Sequence, residues 1–587
     1  MSANDMDKLK GYRTMKTGEI FKRTFKYMKN EVGKFIISFF LLLVGVAAEI
    51  SFSVVFGKIT SYVKSESAVL STIIFAAIGY MALILVSNFF SYLQAMILQK
   101  AGQKVIYNLR MEVFEHIENM SQNQFDEMPV GSLVTRVTDY TSAMSDLFTN
   151  TIVNVLKNIL MVVTVFTIMM FYSVKLTLIV TLVLSLVFVI SYFFRFKARK
   201  IFSDERQLIS DANTFLNESL SGMKITQIFN QEERKKNEFE VKNDAIRKNK
   251  DKIMVAFALY RPTVSFLYHV SVGLVILYSF EFGFDGGQLT TFYLLLSRLF
   301  NPIQNIADQI NAIQRARTSS ERLFNLIDVK PEVLDEPDAI DVDHFEGKIE
   351  FKNVWFAYEK EEWILKDVSF TIEPKTTAAF VGATGAGKTT ILGLIVRNYE
   401  IQKGEILIDG INIKHIKIKS LRKAIGQMLQ DVFLFTGNIR DNITLHDSDI
   451  PEEEINEACE YVNANSFIKK NELGLDAPVI ERGENFSQGQ RQLLSFARTV
   501  LAKPQILILD EATANIDTET EVLIQESLEK MKSIGTMLVV AHRLSTIQKA
   551  DQIIVLSHGV IIERGTHQEL LKNRGHYFKL YQLQFKE

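Results

Sequence analysis

The sequence has very little cysteine and no strong excess of either charge. Its 587 residues include one cysteine, Cys459, and the formal net charge is −2. A single thiol excludes a disulfide framework within the chain and argues against a Cys/His metal site. We therefore expect Cys459 to be a small buried apolar residue in a reducing compartment. The near-neutral charge gives no overall attraction to nucleic acid, and we predict no nucleic-acid partner.

The first residues also lack the pattern of a cleavable signal peptide. Residues 1–34 are basic and amphipathic, whereas a signal peptide places a short apolar h-region directly after a few positive charges. The first apolar run begins only after residue 34 and is too long for an h-region. We interpret residues 1–34 as a basic segment in the cytoplasm.

Long apolar runs occur only in the first part of the chain. A helix needs roughly 20 mostly apolar residues to cross a bilayer, and six stretches meet this requirement. They are residues 35–56, 72–98, 152–172, 176–196, 254–280 and 289–310. A large soluble protein with buried helices is the alternative, and six such lengths in one domain argue against it. We predict a transmembrane domain of six helices over residues 35–328.

The distribution of lysine and arginine predicts the orientation of these helices. The segment 197–252 carries 13 lysines and arginines, and residues 99–150 and 1–34 are also basic, whereas the intervening loops carry few. Basic loops favour the cytoplasmic side. Both termini are therefore predicted to be cytoplasmic, in a multi-pass protein of the cytoplasmic membrane.

The two long basic loops have helical patterns of their own. Apolar residues recur at helical spacing through residues 110–117 and 220–229. We expect the membrane helices to continue several turns into the cytoplasm and to turn back at short crosspieces. Turn-forming residues predict these crosspieces near residues 121–131 and 209–217.

Charged residues lie within the predicted spans, where charge is costly, and four of them need an interpretation. Glu49 is placed in the outer third of the first span and Arg298 midway along the sixth. Two interpretations are open for both: a polar wall or cationic-substrate site on a transport pathway, or pairing between helices that fixes the bundle. For Asp308 we favour the structural interpretation. Lys157, near the inner end of the third span, is expected to extend its ammonium group to the lipid headgroups.

The second part of the chain has the composition of a soluble α/β domain. An acidic stretch with two prolines, residues 329–345, predicts a linker, and residues 346–587 form the predicted domain. Within it, the sequence Gly382-Ala-Thr-Gly-Ala-Gly-Lys-Thr389 fits the phosphate-loop pattern at every fixed position. An apolar strand, residues 377–381, precedes the motif and a helix over residues 390–397 follows it, which is the context that the motif requires.

Each residue type in this loop suits phosphate binding. Glycines let backbone N–H groups approach the phosphates, and a helix N-terminus favours an anion. Lys388 places a positive charge at the outer phosphates, and the hydroxyl of Thr389 is suited to Mg²⁺. The motif therefore predicts a nucleotide site.

A second motif supplies two carboxylates. Four apolar residues at 506–509 predict a buried strand, and Asp510 and Glu511 follow at its carboxyl end. Asp510 suits Mg²⁺ coordination and Glu511 suits orienting the attacking water, because phosphoryl transfer needs mainly positioning and charge stabilisation. A strand that ends in a solvated acidic turn is the alternative, and the nearby phosphate loop argues against it.

A third motif points to a family. The sequence Asn485-Phe-Ser-Gln-Gly-Gln-Arg-Gln-Leu493, shortly before the paired carboxylates, resembles the signature of ATP-binding cassette proteins. Gln430, Asp517 and His542 stand in sequences similar to further motifs of that family, and the resemblance extends into the membrane half at Thr135-Arg-Val-Thr-Asp139. The chain resembles a half-transporter of the bacterial multidrug and lipid exporter group.

The resemblance implies a role for each matching position. The implied catalytic residues are Glu511, His542 and Gln430, and the implied Mg²⁺ ligands are Thr389, Gln430 and Asp510. The implied ATP-binding residues are Tyr358, which stacks on adenine, with Gly382, Gly385, Gly387, Lys388, Thr389, Thr390, Asp510, Ser487, Gly489 and Gln490. In the family, Ser487, Gly489 and Gln490 contact ATP bound on a second cassette, and Asp517 lies at the seam between the two.

The signature departs from the family pattern at one position. Gln488 stands where the family usually has glycine and where the backbone approaches nucleotide. The change resembles one subunit of heterodimeric exporters, in which one composite site is complete and the other degenerate. Because Glu511 and His542 are retained, we predict that this chain's own phosphate loop belongs to the complete site of a heterodimer. A homodimer that tolerates the variant is the alternative.

These observations give an expected function. The resemblance implies ATP-hydrolysing export of hydrophobic or amphipathic compounds, as in multidrug efflux, by one half of a dimer whose partner is a second half-transporter. A lipid or peptide exporter, and a nucleotide-gated channel or sensor subunit, remain alternatives. The sequence does not identify the substrate.

Overall fold

The computed structural model describes residues 14–65, 68–359, 362–429, 431–510, 518–540 and 547–585, apart from a few helix side chains, among them those of 303–308. The chain forms two compact units. Residues 1–116 and 130–329 make up the first unit, and residues 117–129 and 330–587 make up the second.

Long helices make up the first unit. They are α1 (Thr17–Met28), α2 (Val32–Val63), α3 (Leu70–Glu118), α5 (Val130–Tyr172), α6 (Val174–Ser221), α7 (Met223–Ile228), α8 (Glu232–Glu281) and α9 (Gly286–Ile327). The last two residues of α3 belong to the second unit. The second unit also contains the short helix α4 (Gln122–Asp126), which lies between α3 and α5 in the sequence. Helix α5 includes π-helical turns at Arg136–Tyr140 and Leu147–Thr151.

Five helices of the described residues are long and apolar enough to cross a membrane. These five contain the first five predicted spans, and the sixth predicted span falls within α9. The helices also continue well beyond the apolar runs, as expected. Helix α3, for example, extends 20 residues past the run that ends at Leu98, which adds about 30 Å at 1.5 Å per residue.

The first crosspiece is present where the sequence predicted it. Helix α4 is a single short helix whose N-terminus is closed by a capping box between Ser121 and Gln124. The side-chain amide of Gln124 also donates a hydrogen bond of 2.8 Å to the carbonyl of Lys330, within the second unit. The crosspiece is thereby anchored to the part of the chain that precedes the soluble domain.

The predicted position of the second crosspiece, residues 209–217, is wrong. Helix α6 runs without interruption through this stretch because its polar side chains bond within the helix: Gln207 donates to Asp211 at 2.9 Å, four residues on. The chain turns instead at Gly222, and α7 forms the short segment between α6 and α8. The polar residues at 209–217 therefore belong to an exposed face of a helix and do not form a turn.

The expected depth of Glu49 and the expected direction of the Lys157 side chain are also wrong. Lys157 Nζ lies 3.2 Å from a Glu49 carboxylate oxygen, so its ammonium group pairs with another helix instead of reaching for headgroups. Arg298 Nη1 lies 2.6 Å from the other carboxylate oxygen. The three residues share one level because α2 continues to Val63, beyond the predicted end at residue 56. The side chain of Asp308 lies outside the described residues.

The second unit contains an α/β domain with two main sheets. Its strands are β1 (Ile349–Phe356), β2 (Leu365–Ile372), β3 (Thr377–Val381), β4 (Lys403–Ile408), β5 (Ile411–Asn412), β6 (Ile425–Met428), β7 (Gly437–Asn438), β8 (Pro478–Val479), β9 (Ile506–Asp510), β10 (Thr536–Val540), β11 (Gln552–Ser557) and β12 (Val560–Gly565).

Its helices cover the sheets and connect the strands. They are α10 (Lys388–Ile395), α11 (Ile418–Ala424), α12 (Ile439–Thr444), α13 (Glu452–Tyr461), α14 (Asn465–Ile468), α15 (Gln488–Leu501), α16 (Thr518–Met531), α17 (His567–Asn573) and α18 (His576–Phe585). Cys459 lies on α13 and is fully buried, as expected for a small apolar residue.

The strand order brings the functional motifs to one edge of a sheet. The six-stranded sheet has the order β12-β11-β3-β10-β9-β6, with β11, β3, β10, β9 and β6 parallel. A separate antiparallel sheet has the order β2-β1-β4-β5. The strands β3 and β9, which precede the phosphate loop and the paired carboxylates, both flank β10. Ligands of parallel α/β sheets bind beyond the carboxyl ends of the strands.

The stretch predicted as a linker packs against the soluble domain. Arg397 is 1% exposed, and its guanidinium donates to the carbonyls of Leu334 at 2.9 Å and of Ile413 and Ile416 at 3.3 Å. Ile340 forms a parallel bridge with Ile416. A buried arginine thus ties the acidic stretch to the domain that follows it.

Candidate nucleotide-binding site

The phosphate loop connects a fully buried strand to a helix. Strand β3 coincides with the predicted Thr377–Val381, and all five of its residues are buried. Helix α10 begins at Lys388 and ends at Ile395, so it starts two residues earlier than the predicted 390–397. The helix N-terminus therefore lies at the motif lysine itself, where its N–H groups and its dipole favour an anion.

Two glycines of the loop have no room for a side chain. Gly387 has a φ of +101°, and a Cβ there would lie 2.7 Å from Leu365 Cδ2. A Cβ at Gly382 would lie 2.3 Å from the carbonyl oxygen of Leu556. The tight packing of the loop under the sheet edge requires glycine at both positions.

Lys388 directs its ammonium group at this loop, and Thr389 directs its hydroxyl at the end of β9. Lys388 Nζ donates to the carbonyl oxygens of Gly382 at 2.7 Å and Ala383 at 3.2 Å. Its side chain is buried, so the ammonium group is held in the mouth of the loop, where phosphate oxygens can replace the carbonyls as acceptors. Thr389 Oγ1 lies 3.4 Å from Asp510 Oδ1, which joins the phosphate loop to the end of β9.

This pair of oxygens fits a hard divalent cation. Mg²⁺ prefers oxygen ligands and is commonly held by one or two protein groups together with substrate phosphates. The hydroxyl of Thr389 and the carboxylate of Asp510 supply one neutral and one anionic oxygen beside the phosphate loop. The donor set is therefore the kind that Mg²⁺ uses.

Tyr358 forms an aromatic platform next to the loop. Its ring is 43% exposed, and its hydroxyl lies 3.1 Å from Thr390 Oγ1 on α10. The backbone beside it is fixed by Gln402, whose side-chain amide makes two hydrogen bonds of 3.0 Å with Ala357. An exposed ring held in place on a loop suits stacking against a flat base.

A second tyrosine links this platform to the crosspiece. The ring of Tyr399 packs edge-on against that of Tyr358 with 5.1 Å between centroids, and its hydroxyl donates to Asp126 Oδ2 of α4 at 3.2 Å. Burial, followed by the nearby Tyr358 and Asp126, raises the pKa of Tyr399. The phenol therefore remains protonated and able to donate at neutral pH.

The signature motif opens a long helix, α15. Ser487 caps α15: its Oγ accepts from the N–H of Gln490 at 3.2 Å, and Gln490 Oε1 accepts from the N–H of Ser487 at 2.9 Å. Among the described residues the Ser487 hydroxyl donates to no acceptor, so its hydrogen is available to a ligand. Gly489 is buried, whereas Ser487 and the variant residue Gln488 are exposed.

Four predicted site residues, Gln430, Glu511, Asp517 and His542, lie outside the described residues. The strands that lead to two of them are described. Strand β9 ends at Asp510 and β10 ends at Val540, and these two terminal residues are register partners in neighbouring parallel strands. The described part of the site thus joins Lys388, Thr389 and Asp510 and places Tyr358 against Thr390.

Sequence reasoning missed Tyr399 and Gln402. Neither belongs to a recognisable motif, and both act through residues distant in sequence: Tyr399 contacts Asp126, 273 positions away, and Gln402 contacts Ala357, 45 positions away. The proximity of Tyr399 to the end of α10 was the only local signal.

Two parts of the chain match known protein families. Residues 35–303 match the family described as the ABC transporter transmembrane region, and residues 365–514 match the family described as ABC transporter. The first match lies in the helical domain and the second in the phosphate-loop domain.

Similar proteins cover most of the chain. It is 38% identical over 513 residues to the probable multidrug resistance ABC transporter ATP-binding/permease protein YheH of Bacillus subtilis, covering 86% of this chain and 76% of the relative. It is 32% identical over 575 residues to an ATP-dependent lipid A-core flippase of Syntrophus aciditrophicus, covering 97% and 95%.

A solved structure supports the same assignment. The ATP-bound structure of a bacterial Atm1-family ABC exporter superimposes with a TM-score of 0.76 at 25% identity, covering 94% of this chain and 98% of that one. The fold class predicted from the sequence, a helical membrane domain with long helices followed by an α/β nucleotide-binding domain, is confirmed. The chain therefore belongs to the ABC transporters and is an exporter half-transporter, in which one transmembrane domain is fused to one ATPase domain coupled to transport.

Proposed function

We propose that this chain is one half of a heterodimeric exporter that uses ATP hydrolysis to move hydrophobic or amphipathic compounds out across a bacterial cytoplasmic membrane. The observation that carries the proposal is the convergence of Lys388, Thr389 and Asp510 at the carboxyl edge of a parallel sheet in a chain that also has long apolar helices. The name of the Bacillus subtilis relative, a probable multidrug resistance transporter, supports this substrate class.

In this proposal each ATP is bound by residues of two chains. Tyr358 stacks on the adenine, and the loop from Gly382 to Thr390, which includes Gly385 and Gly387, surrounds the phosphates. Ser487, Gly489 and Gln490 approach the γ-phosphate on a second half-transporter, as the exposed N-terminus of α15 allows. When bound at Thr389, Asp510 and Gln430, Mg²⁺ supplies positive charge to the phosphate oxygens.

The proposed hydrolytic step depends on three residues beyond the described part of the site. Glu511 orients the attacking water, His542 contacts the γ-phosphate, and Gln430 reports nucleotide occupancy to the membrane helices. ATP binding closes the two cassettes, because a ligand that binds the closed state more tightly shifts the population towards it. The crosspiece at α4, which ends in the Asp126–Tyr399 hydrogen bond, carries closure to the helices.

The role of Glu511 is tested by turnover and binding together. We expect Glu511→Gln in the assembled transporter to lower ATP turnover by more than about 100-fold while ATP affinity changes little, because the carboxylate acts in the chemical step. Glu519→Gln, which changes an exposed carboxylate at the start of α16, is the matched control and should leave turnover unchanged. Near-normal turnover in Glu511→Gln contradicts the assignment.

The heterodimer is tested by purification. Gln488 occupies an exposed position at the start of α15, where its side chain is free to meet a nucleotide bound on another chain. We expect the tagged chain to hydrolyse ATP weakly alone and strongly with one of the other half-transporters encoded in its source genome. Full activity of the chain alone shows a homodimer instead.

A lipid is the second candidate substrate. The Syntrophus aciditrophicus relative is named a lipid A-core flippase, and it is similar over 97% of this chain. Proteoliposomes that contain the assembled transporter, assayed with a panel of fluorescent dyes and labelled phospholipids, separate the two. ATP-dependent accumulation of dye against a gradient supports efflux, and translocation of lipid alone supports the second candidate.

A further inference from the structure

Three charged residues of the first unit form one contact network with unequal charges. Glu49 on α2 accepts from Arg298 on α9 at 2.6 Å and lies 3.2 Å from Lys157 Nζ on α5. Arg298 Nε also donates to the hydroxyl of Ser53, a residue that is 1% exposed. Among the described residues, two cations therefore share one anion, and this network carries an excess positive charge.

The network lies deep within the predicted membrane-spanning part. Glu49 is 14 residues before Val63, Lys157 is 15 residues before Tyr172, and Arg298 is 12 residues after Gly286, where the three helices reach the short loops. At 1.5 Å per residue these positions are roughly 18–23 Å from the helix ends. The hydrocarbon core of a bilayer is about 30 Å thick, so this level falls inside it.

An excess charge at this depth is costly unless an anion compensates it. Lys157 has three N–H donors, and its contact among the described residues uses one of them. Arg298 uses Nη1 and Nε in its contacts to Glu49 and Ser53, and no contact of Nη2 is present among the described residues. Donors remain for another anionic oxygen.

The three side chains of the network are only partly buried. The side chains of Arg298, Glu49 and Lys157 are 25%, 30% and 41% exposed in the single chain. Charged groups do not face lipid tails without polar partners. The exposed parts of these three side chains must therefore face a water-accessible pathway or a second subunit.

We propose that Lys157 and Arg298 bind the anionic group of an amphipathic substrate, with Glu49 holding the two cations at the correct spacing. The inference rests on the proposed export of amphipathic compounds and narrows it to anionic members, such as sulfonates, carboxylates or phosphate esters. Glu49 considered alone would suggest a site for cationic substrates. Because its carboxylate is already paired with Lys157 and Arg298, we expect the site to prefer anions.

Binding of matched probes tests the proposal. Three fluorescent amphiphiles share one dansyl group and one alkyl chain and end in a sulfonate, a primary amide or a trimethylammonium group. They are titrated into the assembled transporter in nanodiscs of neutral phosphatidylcholine. We expect the sulfonate to bind on the order of 10-fold more tightly than the amide, and the trimethylammonium probe to bind less tightly than the amide. Equal affinities for the three overturn the proposal.

Variants separate a binding role from a structural one. Lys157→Met should reduce the affinity for the sulfonate about 10-fold and leave that for the amide unchanged. Glu49→Gln should strengthen sulfonate binding, because the amide oxygen can still accept from Arg298 and hold it in place while the competing negative charge is removed. Lys58→Met, which changes an exposed lysine on α2 outside the network, should change neither. If Glu49→Gln weakens sulfonate and amide binding alike, the network only holds helices together and the proposal fails.

A separate readout tests export. ATP-driven transport of the sulfonate probe in proteoliposomes tests the proposed function, whereas the binding preference tests the network. A transporter that binds the sulfonate selectively but moves none of the probes contradicts export and leaves the network's preference supported. Adding phosphatidylglycerol to the nanodiscs identifies the source of the natural ligand: competition indicates an anionic lipid, and lack of competition indicates a soluble amphiphile.

Discussion

Tyr399 donates a hydrogen bond of 3.2 Å to Asp126, and the two residues are 273 positions apart in the chain. Asp126 ends the crosspiece helix α4, which follows the long helix α3. Tyr399 packs against Tyr358, the proposed adenine platform. A three-residue connection therefore runs from the nucleotide site to a segment that is covalently continuous with the membrane helices.

The first prediction concerns this connection. Tyr399→Phe keeps the ring packing and removes only the hydroxyl, so it should cost about 1 kcal/mol of stability. We expect ATP affinity to change less than about 2-fold, whereas transport per ATP hydrolysed falls roughly 2- to 5-fold because closure is transmitted less well. ATPase and transport rates measured in the same proteoliposomes give this ratio.

A matched control is available in the same domain. The hydroxyl of Tyr461 donates to the carbonyl of Lys530 at 2.6 Å and makes no crosspiece contact among the described residues. Tyr461→Phe should lose similar stability and keep the transport ratio. An unchanged ratio in Tyr399→Phe would show that the hydrogen bond has no part in coupling.

The second prediction concerns the phosphate loop. Gly387→Ala places a Cβ 2.7 Å from Leu365 Cδ2 at a φ of +101°. The left-handed conformation alone costs roughly 1–2 kcal/mol for a residue with a Cβ, and the close contact adds a shift of the loop. We expect ATP affinity, measured with a fluorescent nucleotide, to fall at least about 10-fold.

Gly410→Ala separates the strain from the loop's function. Gly410 also has a positive φ, +80°, but a Cβ there meets nothing within 4 Å. This variant should lose stability without losing ATP affinity. Equal loss of affinity in both variants means that Gly387→Ala acts through general destabilisation.

Short motifs and long apolar runs could be interpreted from the sequence because the structures they form depend on residues that are close together in the chain. Strand β3 depends on residues within a few positions, and its predicted range is confirmed; the capping box at Ser487, which the structure adds, is equally local. The position predicted for the second crosspiece is wrong because the polar side chains near Asp211 are compatible with a turn and with an exposed helix face alike. The Glu49, Lys157 and Arg298 network and the Tyr399 contact join residues more than 100 positions apart, for which the sequence holds no pattern.

The third prediction concerns Arg397. Its guanidinium is buried and donates to three carbonyls that join the acidic stretch at Leu334 to the cassette. Arg397→Met leaves these acceptors without partners, which should cost roughly 2–4 kcal/mol. We expect the cassette's thermal unfolding midpoint in the purified transporter to fall by roughly 5–15 °C.

Arg440 provides the comparison for Arg397. It pairs with Glu452 at 2.9 Å and Asp476 at 3.2 Å, but both carboxylates are largely exposed. Arg440→Met should lower stability by less than about 1 kcal/mol, as is typical of surface ion pairs. If both variants shift the midpoint equally, burial of Arg397 is not what stabilises the cassette.

The last prediction concerns the single thiol. Cys459 is fully buried on α13, and burial raises its pKa to about 12. At pH 8 the native thiolate fraction is therefore roughly 1 in 10,000, and the reagent is also excluded. We expect a thiol-specific reagent to label the native transporter at least about 1,000-fold more slowly than the unfolded chain.

Glu457→Cys, combined with Cys459→Ala, moves the thiol to an exposed position of the same helix and should label within seconds. Fast labelling of the native wild-type thiol would mean that α13 opens readily, because only an opened cassette exposes this side chain.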